Sequence, residues 1–497
     1  MTAEQLNQGL WAVLPEILLL VLGFIVIGAD LFQRGRNRRV LGWISIVGLI
    51  GILALVVFQT APLIAANAAT EPVFSGMIHI DLTVQLFRIM FILAAALTCL
   101  ISLDFKPMKQ SSEYYVLVLF GTLGMGLMAA SSNIIMLYLS LETTSISLYM
   151  LAGFMRDQRP STEAGMKYFL FGAFTSTIML YGLSLLFGFT GQTSFSGISA
   201  AVANLDKLPV MVALVLVLVG FGFKVAAVPF HMWTPDVYEG APTPITAFIS
   251  VASKAAGFAV LIRFFLLVFG SVQQEWIGLI AALAVATMTI GNVLAISQKN
   301  IKRMLAYSSI GQAGYVLIGV AAVGTLGSAA VLYYLAAYVL TNIAAFAVVE
   351  VVTNVTGSEL IKDMAGFSRK SPGVSFGLLA AMLSLAGVPP LAGFFGKFYV
   401  FNAAVGYQAA DPTTGLITHP LVWLAIVGVL NSIVALYYYL IILKVVYVDR
   451  SEGDTTEVPV SSTLKIGLFI ASAGMLVMGI IATPWYDLAT QAAKLLH

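Results

Sequence analysis

A single cysteine, Cys99, in 497 residues leaves no partner for a disulfide and too few thiolates for a zinc or iron–sulfur site within this chain. Charge is nearly as scarce. Charged residues make up 10% of the chain, against about 25% in a soluble domain. With 25 Lys and Arg against 23 Asp and Glu the net charge is +2, so no basic surplus exists to neutralise phosphates, and nucleic acid is excluded as a partner. A P-loop, a GxGxxG opening a helix after a strand, and HExxH are all missing. The chain is therefore expected to carry no cofactor or metal of its own. What it has in abundance is apolar length. Hydrophobic residues reach 60% and the mean hydropathy is +0.96, so the expected class is an all-α polytopic membrane protein, with the lipid bilayer as its surroundings.

The opening MTAEQLNQGLW has no Lys or Arg before the first apolar run. A secretory signal needs a basic start and a small-residue cleavage site, so the first apolar segment is expected to stay as a spanning helix. Apolar windows long enough to cross a bilayer fall near 12–32, 40–58, 82–103, 114–130, 133–154, 164–190, 209–230, 245–270, 276–297, 304–323, 327–352, 373–402, 421–447 and 462–483, which makes fourteen. Positive charge checks that count, because cytoplasmic loops collect Lys and Arg. With both ends outside, the inward loops hold Arg34, Arg36, Arg38, Arg39, Lys106, Lys109, Arg156, Arg159, Lys299, Lys302, Arg303, Lys362, Arg369, Lys370 and Arg450. Outside lie only Lys207 and Lys494. A miscount by one helix would swap sides partway and erase this asymmetry.

Two segments are interrupted in a related way. Segment 7 reads LVGFGFKVAAVPFHMWTPDVYEGAPTP and segment 12 reads SLAGVPPLAGFFGKFYVF, each joining glycines, a Val-Pro step and a lysine. Proline removes a backbone donor and clashes with the preceding turn, so both helices are expected to break, and broken helices are tolerated in a membrane only inside protein or beside a wet cavity. Five segments separate the breaks, so they run in opposite directions, as in transporters built from inverted repeats. Segments 5 and 10 echo each other weakly, both starting Asn-Ile at Asn133 and Asn300.

Eight cations remain inside or at the ends of helices: Arg88, Lys167, Lys224, Lys254, Arg263, Lys397, Lys444 and Lys465. An ionised side chain at a helix centre costs about 2.5–3.5 kcal/mol on insertion scales, so each requires an explanation. Lys444 and Lys465 lie near helix ends and can snorkel to the headgroups. Arg88 and Arg263 admit a structural or a functional role. Glu142 lies midway along segment 5 among hydroxyl residues and is either a paired structural carboxylate or a protonatable site. Lys224 stands five residues before Pro229, where freed carbonyls can solvate an ammonium, Lys254 lies ten residues into segment 8, and Lys397 follows Pro389-Pro390. A low-dielectric surrounding disfavours the charged form, so such lysines can load and release protons. His231 follows the segment-7 break and can relay a proton or merely pack. Lys167 is either an interfacial anchor or a second partner for Glu142. Glu350, near the end of segment 11, is expected to be solvated. Tyr437, Tyr438, Tyr439, Trp485 and Tyr486 are expected to serve as interfacial belts or packing.

The stretch GFGFKVAAVPFHMWTPDVYEGAPTPITAFISVASKAAGF (220–258) closely resembles the antiporter-like membrane subunits of proton-pumping NADH:quinone oxidoreductase, respiratory complex I. LSLETTSISLYML, NIKRMLAYSSIGQAGY and SLAGVPPLAGFFGKFYVF extend the resemblance over nearly the whole chain. Subunits M and L and the Mrp-type antiporters share the Lys-then-Pro-His core but usually continue Trp-Leu-Pro-Asp. Here the continuation is Trp-Thr-Pro-Asp-Val-Tyr (233–238), and helix 12 carries a lysine, both of which resemble the subunit N (subunit 2) group. The resemblance implies an N-terminal segment over 1–110, two inverted five-helix repeats over 111–272 and 273–450, and a last helix within 451–497. It implies a proton path through Glu142, Lys224, Lys254 and Lys397, with His231 as the family histidine. It also implies neighbours among the other membrane-arm subunits (M, K, J), only indirect dealings with quinone, redox chemistry in other subunits, and a bacterial plasma membrane, or a thylakoid for a photosynthetic homologue. A Mrp-type sodium/proton antiporter subunit and a membrane scaffold with vestigial charges stand as the alternatives.

Overall fold

The computed structural model describes residues 3–33, 39–66, 71–105, 111–410, 417–450 and 459–496. Arg34, Arg36, Arg38, Lys106 and Lys109 of the expected inward loops lie outside the described residues. Among the described residues thirteen helices, from Leu14–Phe32 to Ser462–Ile480, are long and apolar enough to cross a membrane, and the chain is a multi-pass all-α membrane protein. The remaining expected segment, 373–402, consists of two 15-residue helices, Pro372–Ala386 and Ala392–Gly406. At 1.5 Å per residue each is about 22 Å long, too short for a hydrocarbon core of about 30 Å. Gly387 closes the first half at φ +87, its N–H bonded to the Leu383 and Ser384 carbonyls. Pro389 and Pro390 follow and have no N–H to continue the ladder.

Segment 7 breaks as expected. Helix Lys207–Val225 stops, Ala226 takes φ +60, and after Pro229 the chain resumes as Trp233–Gly240. A further irregularity with no signature in the residue pattern lies in the eighth span, Thr243–Val268, where Ile249–Ser253 form a π turn immediately before Lys254. The short helices Ala3–Ala12, Phe195–Val202 and Ala482–Lys494, and a two-residue strand pair Ala409–Ala410 with Ile417–Thr418, lie between or at the edges of the apolar windows.

The chain forms two compact units, one built on Met1–Val225 with Gly240–Gln273, the other on Ala226–Glu239 with Gln274–Leu495. In the first, Asn133 caps Ile134–Ala152 by accepting the Ile135 N–H at 2.8 Å. A 32-residue helix, Arg159–Thr190, follows and ends at left-handed Gly191, and Asn133 bridges back to Ser194. In the second, Asn300 caps Ile301–Ala321 by accepting from Lys302 and Arg303. Again a 32-residue helix, Thr325–Thr356, ends at a left-handed glycine, Gly357, and Asn300 bridges back to Leu360. Lys302 and Arg303, read as loop residues, belong to the first turn of that capped helix. There Lys302 pairs with Glu359 at 3.0 Å and Arg303 with Asp236 at 2.7 Å and Glu239 at 2.9 Å.

Candidate functional site

Lys224 is the second-last residue of its helix and only 2% exposed. Its Nζ donates to Ser145 Oγ at 2.8 Å. The small residues around it make this possible: a Cβ at Gly257 would lie 3.2 Å from Lys224 Cγ, so the lysine stem packs directly on the eighth span. Glu142 stands one turn before Ser145 on the same helix. It is half-buried, its Oε1 has no hydrogen-bond partner among the described residues, and it lies near enough to Lys224 for the two to interact electrostatically. Lys254, also 2% exposed, opens the α-helix after the π turn, three residues before Gly257. Residues three apart share a helix face, which brings Lys254 and the Lys224 stem to the same side of that span. Hydroxyl groups occupy the region between the two lysines. Tyr149 interacts with Ser145, Tyr149 and Tyr168 meet edge to face at 4.8 Å, and Ser253, beside Tyr168, has a buried hydroxyl with no hydrogen-bond partner among the described residues. Lys167 is 36% exposed and pairs with Glu163 at 2.8 Å along its own helix.

In the second unit, Lys397 is the sixth residue of Ala392–Gly406 and 4% exposed. Its Nζ donates to the Ala386 carbonyl at 3.0 Å and to Ser432 Oγ at 2.8 Å, and it lies 4.7 Å over the Tyr315 ring. Ala386 ends the first half-helix, so its carbonyl is one that the break freed from the helical ladder, and a cation is favoured there. Gly387 is required on two counts: its φ is positive, and a Cβ would come within 2.9 Å of Lys397 Cδ. From Tyr315 the polar contacts continue through Asn292, which donates to the Tyr315 hydroxyl at 3.0 Å and accepts from Tyr438 at 3.0 Å. Tyr439 then accepts from Gln312 at 3.1 Å, Tyr334 donates to Gln312, and Ser308 contacts the Tyr439 hydroxyl. His231, half-buried in the turn before Trp233–Gly240, accepts the Thr234 N–H on its carbonyl at 2.9 Å.

Two expectations change here. Tyr438 and Tyr439 are 2% and 0% exposed and belong to this polar network, while Tyr437 alone of the three faces outward at 58%. Tyr486, stacked on Tyr399 at 3.7 Å, and the exposed Trp485 keep to the expected packing and outward placement. Glu350, expected in solvent, is fully buried and neither carboxylate oxygen has a hydrogen-bond partner among the described residues. Its helix continues to Thr356, more than a turn past the apolar window, and carries Glu350 inside.

The buried arginines differ in kind from Lys224 and Lys397 because carboxylates neutralise them. Arg88 forms a two-point pair with Glu16, Nε to Oε1 at 2.9 Å and Nη2 to Oε2 at 2.7 Å, both residues buried. Arg263 donates to Asp81 and to the Ala129 carbonyl at 2.9 Å, and meets His79 Nδ1 at 3.0 Å. These two are structural. Removing one member of a buried pair strands the other, a loss of about 3–5 kcal/mol. Arg88→Met or Glu16→Met alone should therefore lower the thermal stability of the purified assembly sharply, and the double replacement should lower it less. Equal melting of all three variants and the parent would contradict this reading.

Among the described residues no group of three or more His, Cys, Asp or Glu is placed to hold a metal ion. The family model described as NADH:quinone oxidoreductase/Mrp antiporter, TM, matches residues 131–419. The chain belongs to that family. Within it, NADH-quinone oxidoreductase subunit N of Trichlorobacter lovleyi is 41% identical over 492 residues, covering 97% of each chain. A chain of respiratory complex I from Thermus thermophilus superposes with a TM-score of 0.78 at 30% identity, over 96% of this chain and 99% of that one. A chain of the Mrp complex from Dietzia sp. gives a TM-score of 0.82 over 100% of this chain and 98% of that one, at 21% identity, a likeness of fold alone.

Proposed function

We propose that this chain is a proton-translocating membrane-arm subunit of a complex I-type NADH:quinone oxidoreductase, seated in a bacterial plasma membrane among other membrane-arm subunits. Electron transfer from NADH to quinone takes place elsewhere in the assembly. Glu142, Lys224, Lys254 and Lys397 are the stations of the proton path, with His231 and Lys167 as accessory groups.

One observation carries this reading: Lys224 and Lys397 are held by neutral oxygens, whereas Arg88, Arg263 and Lys302 are held by carboxylates. A buried ammonium bonded to a hydroxyl or carbonyl can give up its proton without stranding an anion, so the cost that locks the arginines in place does not apply. The Ser145–Tyr149–Tyr168–Ser253 hydroxyls and the Tyr315–Asn292–Tyr438–Tyr439 network supply groups that both donate and accept. Glu142, acting electrostatically on Lys224, can bias its loading. The paired Asn caps, 32-residue helices and left-handed glycines in the two units support inverted repeats over 111–272 and 273–450.

The test is ion specificity in sealed vesicles holding the whole assembly. Proton uptake should start with quinone reduction and proceed without sodium. Sodium/proton exchange in the absence of an electron donor would support the antiporter reading instead.

A further inference from the structure

In the first unit a cleft of about 960 Å³ opens between the helices Leu14–Gln33, Ser112–Ala130, Ile134–Ala152 and Arg159–Thr190. Its walls are apolar side chains that face outward: Met150, Met166 and Phe169 are 56%, 57% and 49% exposed. Its polar residues sit at one end. Asp30 comes from the last turn of the first helix, Glu113 from the first turn of the second, and Arg156 from the turn joining the other two. All three lie on the side of the membrane to which the cation-rich loops belong. Asp30 accepts from Ser112 at 2.6 Å, which fixes its carboxylate at the mouth, while Glu113 and Arg156 are exposed.

We propose that this cleft binds one phosphatidylethanolamine molecule of the inner leaflet. An apolar trough running inward from a polar mouth at the membrane surface has the polarity profile of a phospholipid. The mouth carries both signs of charge, which suits a zwitterionic headgroup. Arg156 receives the phosphate, for which a guanidinium fork is matched, and Asp30 and Glu113 receive the primary ammonium, which has three N–H donors. Phosphatidylglycerol has no cation for the two carboxylates. Phosphatidylcholine has no N–H to donate to them. An acyl chain in the cleft also covers Tyr149, a wall residue that interacts with Ser145, the hydrogen-bond partner of Lys224. The lipid thus shields that contact from the bilayer side.

The experiment is photolabelling of the whole assembly in vesicles, using phosphatidylethanolamine, phosphatidylcholine or phosphatidylglycerol with a diazirine in the acyl chain. Labelled peptides are mapped by mass spectrometry. The exposed face at Leu430 and Ile433 serves as the bulk-lipid control. The phosphatidylethanolamine probe should label the Met150 and Met166 peptides several-fold above the control face, and the other two probes should not. Arg156→Ala with Glu113→Gln, both exposed positions, should reduce cleft labelling to the control level and leave quinone reduction as it was. Equal labelling by all three probes, labelling unmoved by the double variant, or a cleft shielded by a neighbouring subunit would each overturn the assignment. None of these readouts depends on proton transport, so the lipid site and the proton path stand or fall separately.

Discussion

Assemblies carrying Lys224→Met are expected to lose redox-driven proton transport through this chain, by about 10²–10⁴-fold in rate, the usual loss when a positioned proton donor is removed. Methionine keeps an unbranched stem, so the packing on Gly257 survives and the fold is retained. What disappears is the amine on Ser145. Proton uptake into sealed vesicles, normalised to assembled complex, is the measurement. Transport at the parent rate with normal assembly would remove Lys224 from the path. Ser145→Ala should do less, because it deletes one hydrogen bond to the ammonium, worth about 1.5–3 kcal/mol, and leaves the proton carrier in place.

Lys397→Met is the second large effect, and it tests the other unit independently. The ammonium satisfies the Ala386 carbonyl and Ser432 and lies over Tyr315. Removing it leaves a helix-end carbonyl short of a donor at a buried site, which costs some stability. The assembly should nonetheless form, since Ser432 also donates to Ala386 at 3.3 Å. Proton transport should fall by a factor similar to that for Lys224→Met, because the proposed path puts the two stations in series. A loss confined to melting temperature, with transport intact, would mean that Lys397 only plugs the broken helix.

Much of this was legible in the sequence because charge in a membrane is expensive and therefore sparse. The cost of burying an ion selected Glu142, Lys224, Lys254 and Lys397, and proline chemistry located both broken segments. Other features were not legible. Hydropathy windows measure how apolar a stretch is, not which neighbour its polar residue faces, so the partners Glu16 for Arg88 and Asp81 for Arg263 appeared only with the fold. The same blindness put Tyr438 and Tyr439 with the exposed Tyr437, although successive residues on a helix point about 100° apart. Glu350 was misplaced because its helix outlasts its apolar window and ends only at Gly357. The π turn before Lys254 has no sequence signature in Ile249–Ser253; it depends on how that span packs.

The buried lysines are proposed to work by losing a proton, not by being a fixed charge, and Lys224→Arg separates the two. Arginine keeps the positive charge and the capacity to donate to Ser145, but a guanidinium stays protonated in proteins. The decisive measurement is the ratio of protons transported to quinone reduced in vesicles containing the Lys224→Arg assembly. The expected ratio is depressed as far as in Lys224→Met while quinone reduction continues. A ratio equal to that of the parent would contradict it.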